Sequence, residues 1–142
     1  MDQTVTDTNA LPLDLSLAIT RANTQKKMLL LEFGSSDGCP PCVLFQQKVF
    51  SSPSFQGFEK SNLLFLHLDY PVKHPLRPDT QATNVFLAQE FNVGMFPTFI
   101  AIDGNGKEFW RMPANGDSGI DVQLFYPTNF ISLLASVRKN EK

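Results

Sequence analysis

The chain has few of the residues that build metal centres and nucleic-acid surfaces. Among its 142 residues are two histidines, two cysteines and one tryptophan. A structural zinc site needs four ligands, and His67 and His74 stand at the wrong spacing from Cys42 and from each other to complete one with the cysteines, so no metal is expected. Positive charge is also scarce: 12 Lys and Arg against 14 Asp and Glu leave a formal charge of -2 with no basic stripe, which argues against a nucleic-acid partner. No apolar run approaches the roughly 20 residues of a membrane-spanning helix. At the start, Asp2 and Asp7 occupy the place of a signal peptide's basic region, and Pro12 and Asp14 interrupt the apolar patch. A cytoplasmic protein, or a mature exported form without its signal, is therefore expected.

Both cysteines fall within Gly38-Cys39-Pro40-Pro41-Cys42. Two thiols three positions apart, where a strand gives way to a helix, can open and close a disulfide with little backbone movement. A purely structural role is a poor explanation, because closing so short a loop stabilises a fold very little. Pro40 and Pro41 suit a first helical turn, whose N–H groups have no intrahelical partner.

The rest of the chain reads as one domain, with residues 1–12 a flexible polar arm and 13–142 a single folded unit filled largely by 13 phenylalanines. Asp14 is expected to cap a helix whose Leu15, Ala18, Ile19 and Ala22 form one stripe. Met28–Phe33 and Leu63–Asp69 are continuous apolar runs, the pattern of strands buried on both faces; Glu32 inside the first therefore requires an explanation. A helix is expected through Val43, Phe45 and Val49, and a second from a Ser52 cap and Pro53 with Phe55 and Phe58 inward. Pro71–Thr80 reads as a long loop, Val85–Phe91 as a helix, Thr98–Ile102 and Lys107–Met112 as a hairpin about Asp103-Gly104-Asn105-Gly106. After a second long loop, Pro113–Tyr126, Pro127 opens a helix with Phe130, Leu133, Leu134 and Val137 on one face, before a charged tail from Arg138.

The cysteine pair after an acidic buried strand, Met95-Phe96-Pro97-Thr98 ahead of the next strand, and the Asp-Gly-Asn-Gly hairpin together resemble the thioredoxin superfamily. Within it the chain is similar to the secreted bacterial thioredoxin-like disulfide oxidoreductases of the DsbH kind. The resemblance implies an α/β thioredoxin-like fold: a central mixed β-sheet flanked by helices, here with an added N-terminal helix and two long loops. There are two departures. Gly38 stands where thioredoxins usually carry Trp, and the Phe33-to-Cys39 loop is one residue longer, so an altered active-site rim is expected.

The implied chemistry is thiol-disulfide exchange. Cys39, at a helix N-terminus that favours an anion, is the expected attacking sulfur, and Cys42, one turn in and more buried, the resolving one. Glu32 stands at the family's buried acid and is expected to accept the Cys42 proton; the ordinary alternative is a strand-end carboxylate reaching solvent. Neither Pro40 nor Pro41 can donate a hydrogen bond to the Cys39 thiolate or bring positive charge, which implies a weakly oxidising couple and hence a disulfide reductase. Pro97 is implied to be cis and beside the cysteines, with the Phe96 backbone pairing an extended substrate and Met95, Phe96 and Trp110 offering apolar contact. No cofactor is expected beyond the redox-active pair. Expected partners are protein disulfides and an electron-donating thiol protein, met by a monomer in the periplasm. Open alternatives are an oxidant or isomerase of the same fold, and a copper(I) carrier, which would call for a histidine ligand.

Overall fold

The computed structural model describes residues 13–113 and 120–141. The expected arm, residues 114–119 of the expected Pro113–Tyr126 loop and the last residue of the tail lie outside them. Among the described residues five α-helices and four strands follow in the order α1 (Leu13–Gln25), β1 (Met28–Gly34), α2 (Pro40–Phe45), α3 (Pro53–Asn62), β2 (Leu63–Asp69), α4 (Pro78–Glu90), β3 (Thr98–Ile102), β4 (Glu108–Met112) and α5 (Pro127–Lys139). A π-helical turn, Gln46–Phe50, extends α2, and a 3-10 turn, Val122–Phe125, precedes α5.

The sheet is mixed, in the order β2-β1-β3-β4, with β1 parallel to β2 and antiparallel to β3, and β3 antiparallel to β4. Strand alternation divides β1 between two cores. Met28 and Leu30 join Phe45, Val49, Phe50, Phe55, Phe99 and Phe130 beneath α2, α3 and α5. Leu29, Leu31 and Phe33 join Leu15, Ile19, Leu87 and Ile100 beneath α1 and α4. Glu32 continues the Met28 and Leu30 side by the same period of two, so its side chain is carried toward the face on which α2 begins. On that face Phe45 has four ring neighbours with centroids 4.6–5.7 Å away: Phe50, Phe99, Phe125 and Phe130.

Several expectations need correction. Asp14 lies in the first turn of α1, where a carboxylate meets the positive helix end, and is not its cap. The Leu63–Asp69 strand is only half-buried, because it forms one edge of the sheet with a neighbour on one side only. α4 starts at Pro78, seven residues ahead of Val85: its first two turns are polar and solvent-facing, so they lack the apolar spacing that marks a helix in sequence. Arg138 and Lys139 end α5 instead of forming a tail, and the Arg138 guanidinium donates to the Asn62 and Lys26 carbonyls, tying α5 to α3 and α1. Other readings match: the Ser52 hydroxyl accepts from the Phe55 N–H at 3.2 Å, and the Asp103 carboxylate accepts from the Asn105 and Lys107 N–H groups in the hairpin turn.

Candidate active site

Cys39 and Cys42 form a disulfide with a Cα–Cα distance of 5.3 Å. Cys39 is the N-cap of α2, and the prolines occupy the next two positions. A helix start normally leaves several N–H groups without partners. Here Pro40 and Pro41 have none to offer, and the first one present, that of Cys42, donates to Cys39 Sγ at 3.2 Å. In the closed disulfide the two residues are covered alike, Cys39 being 6% exposed and Cys42 7%.

The two flanks of the disulfide differ in kind. Behind Cys42 lies a cavity of about 400 Å³ bordered by Glu32, Ser35, Gln46, His67 and Asp69. Glu32 is buried, and its Oε1 lies 2.6 Å from Nδ1 of His67. The parallel register dictates this pair, for Glu32 and His67 are direct partners across β1 and β2. Glu32 Oε2 is turned toward Gly34: a Cβ added there would lie 3.6 Å from Oε2 and 3.1 Å from Cys42 Sγ. Glycine therefore leaves open the space between carboxylate and sulfur. The carboxylate is not a strand-end group reaching freely into solvent.

Beside the prolines lies an apolar groove of about 280 Å³, lined by Pro40, Pro41, Leu44, Met95, Phe96 and Pro97 among others. The Phe96–Pro97 peptide bond is cis, as is Met112–Pro113. Met95 and Phe96 are each 38% exposed, and Phe96 stacks on Tyr70 with centroids 5.0 Å apart. Trp110 does not share this groove: it is half-buried on β4 and packs against the phenylalanine core, because its register partner is Ala101 of β3.

The rim is built by the loop after β2. Asp37 accepts hydrogen bonds from the Val72 and Lys73 N–H groups at 2.8 and 2.9 Å and lies 3.2 Å from His74 Nδ1. The Val72 N–H above all, then those of Lys73, the Ser35 hydroxyl and His74, hold its carboxyl below the usual carboxylate range. Asp69 fastens the other end by accepting from the Ser36 N–H and hydroxyl. A Cβ on Gly38 would meet Val72 Cγ2 at 2.5 Å, so the loop fills the space a side chain at 38 would need. Tyr70 closes the base: burial raises its phenol, which donates to the Asn84 carbonyl at 2.6 Å. The pairing of His67 with Glu32 and the tether at Asp37 escaped the sequence reading; a period-2 count from the apolar residues of both strands puts Glu32 and His67 on one face, whereas nothing local marks Asp37. Among the described residues no three His, Cys, Asp or Glu side chains converge as a metal site.

The thioredoxin-like domain family matches residues 13–115. The chain is 28% identical over 95 residues to a disulfide bond reductase, DsbH, of Chlamydia pneumoniae, covering 67% of this chain and 57% of that protein. It is 23% identical over 105 residues to the thioredoxin-related protein DsbJ of the same organism, covering 74% of this chain and 30% of DsbJ. Thus the chain spans little more than half of one relative and under a third of the other. Among solved structures, a DsbH oxidoreductase superposes with a TM-score of 0.71 at 24% identity, over 87% of this chain and 81% of that one. A disulphide isomerase from Xylella fastidiosa Temecula1 superposes with a TM-score of 0.59 at 15% identity, over 86% and 88% of the two chains. At these identities the superpositions establish the fold.

Proposed function

Since this chain belongs to the thioredoxin-like domain family, we propose that it is a thiol-disulfide oxidoreductase that works as a disulfide reductase. The observation that carries the reading is the Cys39–Cys42 disulfide at the head of α2, between the carboxylate of Glu32 and an apolar groove. In its reduced form Cys39 attacks a substrate disulfide, forming a mixed disulfide and releasing one substrate thiolate. Cys42 gives its proton to Glu32 and attacks Cys39 Sγ, which closes the internal disulfide and frees the second substrate thiolate. Met95, Phe96 and Pro97, with Pro40 and Pro41, receive the extended substrate segment around the target disulfide.

The direction follows from the helix cap. Among the described residues one N–H, that of Cys42, is directed at Cys39 Sγ, and two prolines remove its neighbours, so the thiolate gains modest stabilisation and the couple is weakly oxidising. The name of one relative, a disulfide bond reductase, supports that direction. We assign protein disulfides as substrates and the periplasm as the compartment, reached as a mature form. A reductase there depends on an electron-donating thiol partner. Equilibration with glutathione or dithiothreitol buffers tests the direction: a midpoint near roughly -270 mV is expected, and one above about -200 mV overturns the reductase reading in favour of an oxidant.

A further inference from the structure

Resting on that thiol-disulfide reading, we propose that His67 is the proton outlet of the site, a positioning residue that holds Glu32 and exchanges its proton with water. The Glu32 carboxylate stands between two groups. One oxygen, Oε1, is 2.6 Å from His67 Nδ1, and the other borders the same space beside Gly34 as Cys42 Sγ: a Cβ at Gly34 would lie 3.6 Å from Oε2 and 3.1 Å from Sγ. The Glu32 side chain is 9% exposed and that of His67 is 46% exposed, so the imidazole reaches water where the carboxylate scarcely does. Imidazole is the side chain best suited to exchange protons with water near neutrality, and it can take a proton on one nitrogen while losing one from the other. The ring is held in place by Phe65, 4.1 Å away between centroids, and by Phe50 at 5.5 Å.

The titratable groups around it are few. Glu32 faces it from β1, Cys42 borders the shared cavity from α2, and Asp69 stands on its own strand, its carboxylate bonded to Ser36; Gln46 and Gln47 of the π-helical turn are neutral. In the resolving step Cys42 loses its proton to Glu32, the Cys42–Cys39 S–S bond forms, and the bond from Cys39 to the substrate sulfur breaks, the substrate leaving as a thiolate. As Oε2 takes up the Cys42 proton, the proton shared in the 2.6 Å Oε1–Nδ1 contact settles on His67 Nδ1, and the imidazolium releases its Nε2 proton to water. The two electrons go from the dithiol to the substrate. When an external thiol reductant restores the dithiol, a proton enters at Nε2 and returns through Nδ1 and Glu32 to Cys42, which resets the imidazole.

The test is a stopped-flow measurement of mixed-disulfide resolution after the reduced protein is mixed with a small disulfide, for wild type, His67→Ala and His67→Gln. Glutamine can keep a hydrogen bond to Oε1 but cannot relay a proton. Resolution is expected to slow roughly tenfold in both variants, while alkylation of Cys39 keeps its wild-type rate, and added imidazole restores resolution in His67→Ala. Wild-type resolution in His67→Gln, or slowing in His67→Ala that imidazole leaves unrepaired, overturns the relay. If His67→Ala does not fold, His67→Gln decides alone. Because the probe is a small disulfide, the step is readable whichever direction the couple works in, and a reductase reading that fails by its potential leaves this result intact.

Discussion

The two flanks of the cysteine pair are opposite in chemistry. The cavity behind Cys42 carries two carboxylates, an imidazole and hydroxyls, whereas the groove beside Pro40 is lined largely by proline, leucine, methionine and phenylalanine. Each follows from a different structural element. The polar flank is the end of two parallel strands, where register sets Glu32 against His67. The apolar flank is a meeting of α2's first turn with the segment entering β3 at the cis Phe96–Pro97 bond. The difference teaches that proton handling and substrate contact can be altered separately under the proposed mechanism, although less than one helical turn separates the sulfurs.

The sharpest break of that separation is at the sulfurs themselves. Cys39→Ser is expected to abolish insulin reduction with dithiothreitol as donor, and Cys42→Ser to accumulate a Cys39-linked mixed disulfide visible by intact mass. Next in size is Glu32→Gln, expected to slow resolution by roughly a hundredfold, the scale of general acid–base assistance, with Cys39 alkylation nearly unchanged in a pre-steady-state assay. On the apolar flank, Phe96→Ala is expected to raise KM for an unfolded protein disulfide by roughly fivefold, about 1 kcal/mol of lost apolar contact, and to leave a small disulfide unaffected. A loss of equal size on both substrates would show that the flanks are not separate.

Smaller effects are expected at the rim. Gly38→Ala puts a methyl against Val72 and should cost about 1 kcal/mol in urea unfolding, less than a clash in a core, because the loop can shift. The pH dependence has a definite sign at Asp37. Its carboxyl is lowered in the folded state, so its contribution is present above the unfolded value of about 3.9 and is lost as pH falls through the lowered folded value. Asp37→Asn should flatten that acid limb when unfolding is followed from pH 6 downward; an unchanged limb would remove Asp37 as its source.

The sequence reading succeeded where local pattern and tertiary environment agree. Met28–Phe33, apolar apart from Glu32, is a central strand covered on both faces and is legible as such, whereas Thr98–Ile102, legible as a hairpin strand, is also central and buried throughout. Leu63–Asp69 carries the same pattern at a sheet edge, so its half-burial was hidden. The start of α4 was missed because Pro78-Asp79-Thr80-Gln81 carries no apolar spacing, its helical turns being turned to solvent. Of the site, the cysteines, Glu32 and Pro97 were found by spacing and resemblance. His67 enters the sequence reading only as a rejected zinc ligand; the strand period gives its face, but its pairing with Glu32 depends on the register of two strands, the two residues being 35 positions apart.

The sequence by itself determined the cysteine spacing, the two prolines that strip the helix start of donors, and the alternation that turns Glu32 toward α2. These are properties of neighbouring residues, set by covalent geometry and by the two-residue period of a strand. Only the tertiary structure decided which nitrogen meets Glu32 and what fills the space at Gly38. Each of these depends on segments far apart in the chain, His67 across a strand pair and Val72 across a loop held by Asp37, and such contacts exist only once the sheet is in register.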